Sequence, residues 1–363
     1  MWTALRKLHR WMGLALSLPL LVTAVSGFIL AGTPVWEELS EPPDSPAAGP
    51  VHTASAIIAT SRAASPGLTP VRYHPGSGPR SLAVVDLAKP AQRMPELRLV
   101  IDPVTLAVTR TVLRPGRFYR FMHGLHEQLL IPRAGGRAIV GWIGVGLLIL
   151  SVIGLPLWWN TRPMAVPRKK RRGLLLWHAL HRGFGIWLAA MLILQAGSGI
   201  ALAFPRTFRA LAGLPDPGSR RGAHGIAAAP DIDTALERAR AAIPHARLLD
   251  LLLPSTAGRP AIAVFQPDGT RDGGPFARAD IDLGEQRILT VQDPRSQNFG
   301  ARLLGWARAL HSGGGLGFPW RAATCVAGLT LPLFPVTGLA MWLMRRRGAR
   351  ASRSRVSIPL SAE

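Results

Sequence analysis

Cysteine is almost absent from this chain, which has Cys325 as its single cysteine in 363 residues. One cysteine excludes a disulfide framework and a C-x-x-C redox or zinc motif. It also excludes the C-x-x-C-H sequence that attaches haem covalently.

Charged residues are missing from four long apolar runs, at 11–31, 138–159, 183–204 and 322–344. A helix needs about 20 mostly apolar residues to cross a bilayer, so each run predicts a transmembrane span. The apolar core of the first run is too long for a cleavable signal peptide, and no A-x-A site follows it. We therefore interpret all four runs as retained spans.

Acidic residues are few, with 20 Asp and Glu against 43 Lys and Arg and a net charge of +23. The N-terminus, 160–178 and 345–363 carry basic residues with almost no acid, whereas 19 of the 20 acids lie in 32–136 and 205–315, which are nearly charge-balanced. This is the positive-inside pattern of a multi-pass protein with both termini in the cytoplasm. The basic excess therefore indicates membrane topology and contact with anionic lipid, and no nucleic-acid partner is expected.

Several catalytic and nucleotide-binding motifs are also missing. The sequence has no P-loop, no H-E-x-x-H, no G-x-S-x-G and no dinucleotide-binding fingerprint. Without a site for a nicotinamide or flavin, an electron donor would have to be a partner or the quinone pool.

What the chain does contain is a repeat. LHRWMG at 8–13 returns as LHRGFG at 180–185, and LHEQLL before the second span returns as LHSGGG before the fourth. In both halves a glycine follows the first histidine by 18 residues, as Gly27 and Gly199. The pattern predicts a duplicated unit, with one half at 1–165 and the other at 172–346.

The regions between the spans predict one helix on a small antiparallel sheet in each half. The expected organisation is as follows: span 1 with a cytoplasmic N-terminus at 1–35, a first external domain at 51–115, an outer histidine-bearing helix with span 2 at 117–160, a basic cytoplasmic loop at 161–178, span 3 at 179–205, a second external domain at 225–300, an outer histidine segment with span 4 at 302–345, and a basic cytoplasmic tail at 346–363.

Six histidines fall at the ends of the predicted spans. His9, His178 and His181 lie at the cytoplasmic ends, and His123, His126 and His311 lie at the outer ends. Helical bundles bind cofactors through side chains on facing helices, and neutral imidazole is a good axial ligand for haem iron. An interfacial role is the alternative for each histidine, and zinc or copper would usually require an additional carboxylate or thiolate.

The symmetry-related histidines predict the pairing. We expect His9 with His181 to bind one haem and His126 with His311 to bind a second, giving two bis-His haems b. His178 and His123 have no histidine at the matching place in the other half, so they are alternative ligands, neighbours of the ligands, or unrelated. Glycines at 27, 199 and in span 2 could admit a flat macrocycle or simply close helix packing.

These motifs, in this order, resemble the PepSY-associated transmembrane proteins, a family that includes ferric-siderophore reductases of the ferrioxamine reductase type. The resemblance covers nearly the whole chain and adds a closing GL-x-x-W in spans 2 and 4. It implies a mainly α membrane protein, with a four-helix transmembrane bundle and two small α+β extracytoplasmic PepSY-like domains. It also implies a multi-pass protein of the bacterial inner membrane, with the two domains in the periplasm.

The function that the resemblance implies is electron transfer through haem b to a periplasmic ferric siderophore or other ferric chelate, an iron-uptake oxidoreductase activity. The electrons would come from a cytoplasmic or quinol donor. Two alternatives remain at this stage. One is a quinol-linked cytochrome that reduces a periplasmic protein, and the other is a non-enzymatic PepSY binding or peptidase-regulating membrane protein.

Overall fold

The structure of the protein is a computed structural model that describes residues 1–40, 47–76, 81–92, 95–113, 117–131, 135–160, 173–214, 231–256, 258–270, 275–313 and 317–356. Within the helices, the side chains of 34–40, 117 and 349–356 are not described.

Ten helices occur in these residues: α1 Trp2–Ser40, α2 Ala54–Ala64, α3 Arg117–Gln128, α4 Gly136–Asn160, α5 Leu174–Ala203, α6 Pro205–Leu211, α7 Ile232–Ala242, α8 Phe299–Ser312, α9 Gly317–Thr330 and α10 Leu333–Val356. Four segments are long and apolar enough to cross a membrane, namely Trp2–Thr33, Gly136–Asn160, Leu174–Ala203 and Gly317–Gly348. They coincide with the four predicted spans. Large apolar side chains on them face outward, including Trp187, which is 87% exposed in the isolated chain.

The fourth span differs from its prediction because it is broken. Helix α9 ends at Thr330 and α10 begins at Leu333. Pro332 lies at the break, and proline has no N–H to continue the ladder of helical hydrogen bonds. The chain makes a turn here, in which the Phe334 N–H donates to the Leu331 carbonyl at 3.1 Å. The break places the first turn of α10 beside α5.

Helix boundaries also correct the sequence-based organisation. Helix α5 begins at Leu174, so His178 lies inside that helix rather than in the predicted loop at 161–178. Helix α10 runs to Val356, well into the predicted tail at 346–363. The remaining parts of that loop and tail, at 161–172 and 357–363, lie outside the described residues.

The external regions form eight strands: β1 Thr69–His74, β2 Ala83–Ala88, β3 Leu97–Ile101, β4 Val108–Leu113, β5 Ala246–Leu252, β6 Ala261–Pro267, β7 Ala277–Asp282 and β8 Arg287–Gln292. Each half contributes a four-stranded antiparallel meander, in agreement with the predicted helix-and-sheet pattern. The two meanders are joined, because β1 pairs antiparallel with β5 through Arg72 with Leu252 and Tyr73 with Leu251. The result is one continuous sheet of order β4-β3-β2-β1-β5-β6-β7-β8, not two separate sheets.

Helices α2 and α7 share one hydrophobic core with this sheet. Ile57 from α2, Leu236 from α7 and Phe265 from β6 are all at most 3% exposed and belong to the same cluster. The two helices begin side by side, where Asp233 accepts hydrogen bonds from the backbone N–H and the hydroxyl of Ser55. The external regions are therefore packed as a single unit.

The membrane helices contact one another in matching ways in the two halves. Helix α1 packs against α3 and α4, and α5 packs against α8 and α10, while α4 and α5 contact each other. Some glycines of these helices serve close packing: a Cβ added at Gly146 would lie 2.4 Å from Leu16, and one at Gly328 would lie 3.1 Å from the Phe28 backbone.

Candidate functional site

His126 and His311 are carried by two short helices that precede the second and fourth spans. His126 lies on α3, which packs against α1, and His311 lies on α8, which packs against α5. The end of α8 is tied down by Trp320 and Gln195, whose side chains donate to the Leu310 carbonyl at 3.1 and 3.4 Å. Each histidine thus contacts the first span of its own half, which is α1 for His126 and α5 for His311.

The Nδ1 atoms of these two histidines make equivalent hydrogen bonds. Nδ1 of His126 lies 2.8 Å from the Thr23 carbonyl oxygen, and Nδ1 of His311 lies 3.1 Å from the Gln195 carbonyl oxygen. A carbonyl oxygen only accepts, so Nδ1 carries the proton in both neutral rings and the lone pair is on Nε2. This is the arrangement in which a metal-ligating histidine usually has its second nitrogen held by the protein.

Gly27 and Gly199 make room for these rings. A Cβ added at Gly27 would lie 2.7 Å from Cε1 of His126, and one at Gly199 would lie 2.9 Å from Cε1 of His311. The residues before these glycines also contact the rings. The hydroxyl oxygen of Ser26 lies 3.5 Å from Nδ1 of His126, and that of Ser198 lies 3.2 Å from Nδ1 of His311. The two glycines therefore accommodate the imidazole rings, where the sequence had suggested room for a macrocycle or for helix packing.

The rings of His126 and His311 face each other across the bundle. Their centroids are 6.1 Å apart and their planes are inclined by 36°. Two imidazoles bound to opposite sides of one metal ion, each with a metal–nitrogen bond of about 2 Å, have ring centres about 6 Å apart. The spacing of this pair is that of two axial ligands on one ion.

His9 and His181 form a second pair, with ring centroids 6.2 Å apart and planes inclined by 86°. His9 is seventeen residues from Ser26 on α1, which corresponds to about 26 Å at 1.5 Å rise per residue. The two histidine pairs therefore lie at two depths along α1 and α5: His9 and His181 are on these helices, and His126 and His311 contact them at Thr23 and Gln195.

The ring nitrogens of this second pair are held unequally. Nδ1 of His181 lies 2.7 Å from the hydroxyl of Thr337, which in turn donates to the Phe334 carbonyl at 3.1 Å. Nδ1 of His9 is buried and has no hydrogen-bond partner among the described residues. A buried ring nitrogen without a hydrogen bond costs free energy, and a group bound at a functional site is one explanation for it.

A cavity of about 350 Å³ surrounds the His9–His181 pair. Its wall is mainly apolar and includes Gly154 and Gly338, each at the matching place in its half. Basic side chains are grouped with the histidines, namely Arg6, Arg10, Arg182 and Arg345. No acidic residue lines the cavity among the residues that the structure describes. The cavity therefore suits a largely apolar molecule that carries acidic groups.

The structure does not bring His178 or His123 into either pair. His178 lines the same cavity as His181 but has no ring contact with another histidine. His123 stacks on Tyr119 with ring centroids 6.4 Å apart, lies 3.8 Å from Glu127, and its side chain is 41% exposed. Their positions agree with the sequence, in which neither has a counterpart in the other half.

The described part of the chain contains no group of three or more His, Cys, Asp or Glu side chains that could enclose a metal ion. Zinc sites usually need three or four such ligands, whereas haem iron needs only two axial ones because the macrocycle supplies the rest. The paired histidines, their Nδ1 bonds and the apolar cavity thus fit haem in preference to a bare ion.

Sequence reasoning missed the side chains that support the histidines. Thr23, Gln195 and Thr337 lie inside apolar runs and had no evident role. A signal was present in the Ser-Gly dipeptides at 26–27 and 198–199, which occupy the same place in both halves. The serines of these dipeptides lie beside the histidine rings, a position that the sequence alone does not assign to them.

Most of the chain matches a known protein family. The profile of the PepSY-associated TM region matches residues 6–345. No curated protein matches the chain. The matched range includes all four candidate spans, the continuous sheet and both histidine pairs. The chain is therefore an integral membrane protein that belongs to the PepSY-associated TM region family.

Proposed function

We propose that this protein is a dihaem b-type electron-transfer protein of the bacterial inner membrane that reduces a ferric chelate, with a ferric siderophore as the expected substrate. The observation that carries the proposal is the presence of two histidine pairs at axial-ligand spacing, 6.2 and 6.1 Å between ring centroids, at two depths of one helical bundle. Haem bound at each pair supplies one-electron transfer.

In this proposal the chain's own residues hold the cofactors and set their environment. His9 and His181 would bind one haem, and His126 and His311 would bind the other. Arg6, Arg10, Arg182 and Arg345, which line the cavity of the first pair, are suited to the carboxylates of that haem. No general acid or base is required, because the reduction of iron(III) is an electron transfer to the substrate.

The orientation follows from charge. The basic segments 160–178 and 345–363 support a topology with both termini in the cytoplasm, in which the His9–His181 pair would lie on the cytoplasmic side and the sheet in the periplasm. Electrons then enter from a cytoplasmic or quinol donor and leave towards a chelate docked near the sheet. The equivalent hydrogen bonds of His126 and His311 to carbonyl groups of α1 and α5 support descent of the two halves from one duplicated unit.

The experiment is a reduced-minus-oxidised spectrum of the protein purified from haem-replete cells. We expect b-type bands, and a spectrum without them would refute the proposal and leave a non-enzymatic PepSY protein. His9→Ala and His311→Ala should each remove about half of the haem, because each removes one ligand of one site. His123→Ala, in a side chain outside both pairs, should keep both haems and serves as the control.

The substrate is tested separately. The reduced protein is mixed with a ferric siderophore, and reoxidation is followed by the loss of the reduced bands. Rapid reoxidation with appearance of ferrous iron supports the reductase. Reoxidation only by a periplasmic electron-carrier protein would instead support a quinol-linked cytochrome.

A further inference from the structure

The two halves differ at one position beside the His9–His181 pair. Thr337 is the first residue of the TGL sequence at 337–339, and Ile153 occupies the same place in the IGL sequence at 153–155. Thr337 is 2% exposed, and its hydroxyl contacts Nδ1 of His181 at 2.7 Å. An isoleucine has no group that could do this for His9.

Because Ile153 has no hydroxyl, Nδ1 of His9 lacks the kind of partner that Thr337 provides for His181. His9 faces α4, where a Cβ added at Gly154 would lie 3.7 Å from its Cε1, just as His181 faces α10. The Leu150 carbonyl faces the His9 ring, but Nδ1 makes no hydrogen bond that satisfies normal geometry. Of the four paired histidines, His9 is thus the one whose Nδ1 makes no hydrogen bond of normal geometry among the described residues.

The hydroxyl of Thr337 also determines the tautomer of His181. Its single proton is donated to the Phe334 carbonyl at 3.1 Å, so its oxygen accepts from Nδ1–H of His181. Such a bond fixes the ring orientation, leaves the lone pair on Nε2 and makes the imidazole a stronger electron donor to a bound metal.

We propose that Thr337 is a positioning residue that holds His181 in its ligating tautomer, and that Ile153 leaves His9 the weaker of the two ligands at this site. The inference rests on the proposed function, since it concerns ligands of a haem. A stronger donor ligand stabilises the ferric form, so the hydrogen bond from His181 lowers the midpoint potential of this site relative to the same site without it.

The test is an optical redox titration of the full-length protein and three variants. Thr337→Val removes the hydroxyl at nearly constant volume and should move one of the two reduction waves to a more positive potential, with the other unchanged. Thr337→Ser keeps the hydroxyl and should restore the original wave. Ile153→Thr gives His9 the missing partner and should move the same wave in the opposite direction.

The outcomes separate this inference from the proposed function. A parent protein without b-type bands would refute both. If two waves are present and neither moves in Thr337→Val nor in Ile153→Thr, haem binding stands but the role of Thr337 is refuted. If Thr337→Val loses its haem, retention by Thr337→Ser supports the inference. Equal loss from Thr337→Ser refutes it, because the hydroxyl is then not the decisive group.

Discussion

At the scale of single residues, glycines in the spans make room for the histidine rings that pack against them. Gly199 allows His311 to approach α5 so closely that an added Cβ would lie 2.9 Å from the ring. Gly197, two residues earlier on the same helix, has nothing within 4 Å of such a Cβ. The same residue type therefore has a steric function at one position and none at the other.

We predict that Gly199→Ala displaces His311 and removes about half of the bound haem, because one of the two sites loses a ligand. The measurement is the pyridine haemochrome content per purified protein. Gly197→Ala is the matched control and should keep the full content. Equal haem in the two variants would show that the close contact at Gly199 is not required.

Tyr73 offers a second test at this scale, in the external sheet. It is 5% exposed, and burial raises the pKa of its hydroxyl to about 12, with nearby Asp233 adding to the shift and Arg240 opposing it. Burial favours the neutral form. The corresponding contribution to stability is complete below the unfolded pKa of about 10 and is lost as pH rises to about 12.

A Tyr119→Phe variant leaves Tyr73 as the sole tyrosine, since the chain has two. We expect its phenolate absorbance to appear with a midpoint of about 12 and to coincide with loss of β-sheet circular dichroism. A midpoint near the ordinary value of about 10, with the sheet intact, would contradict the buried position.

At the scale of elements, the two histidine pairs are carried by different helices and differ in the angle between their rings. The ring planes of His9 and His181, on α1 and α5, are inclined by 86°, whereas those of His126 and His311, on α3 and α8, are inclined by 36°. Perpendicular imidazole planes interact with two iron d orbitals equally, while more parallel planes separate those orbitals in energy. The two sites should therefore differ in electronic structure as well as in position.

We predict two distinct low-spin ferric signals in the electron paramagnetic resonance spectrum of the oxidised protein. The more anisotropic signal belongs to the His9–His181 site and should disappear in His9→Ala. The less anisotropic one should disappear in His311→Ala. If each variant instead lost the signal assigned to the other site, the inclinations of the rings would be wrong.

At the scale of the whole molecule, the two regions between the spans pack as one unit. The sheet is continuous through the pairing of β1 with β5, and residues from both halves belong to a single buried cluster. Leu251 lies at this junction and is 1% exposed, whereas Leu113, on the edge strand β4, is 82% exposed.

We predict that Leu251→Ala destabilises the whole sheet by roughly 3 kcal/mol, as expected for a leucine truncated in a packed core. Hydrogen exchange measured by mass spectrometry should show loss of protection in β2 and β3 as well as in β6 and β7. Leu113→Ala is the control and should change neither half. Loss of protection confined to β5–β8 would mean that the two halves unfold independently.

The sequence by itself determined the features that depend on short-range composition and on repetition. Charge-free apolar runs of about 20 residues specify spans in any lipid environment, and the repeated histidine motifs indicate which histidines are equivalent. The pairs His9 with His181 and His126 with His311 could be predicted from that register, and the structure places each pair together. The supporting side chains could not be predicted, because Thr337 and Gln195 contact residues more than a hundred positions away.

Only the tertiary structure decided how the two halves meet. Strand β1 pairs with a strand nearly 180 residues later, and no local pattern distinguishes an edge strand that stays free from one that finds such a partner. Pro332 can be found in the sequence, but the consequence of the helix break there depends on α5. The break places Thr337 in contact with His181 on that helix. The spans and the equivalence of the histidines follow from the composition and repetition of each segment. The joined sheet and the unequal support of His9 and His181 follow from what each segment packs against.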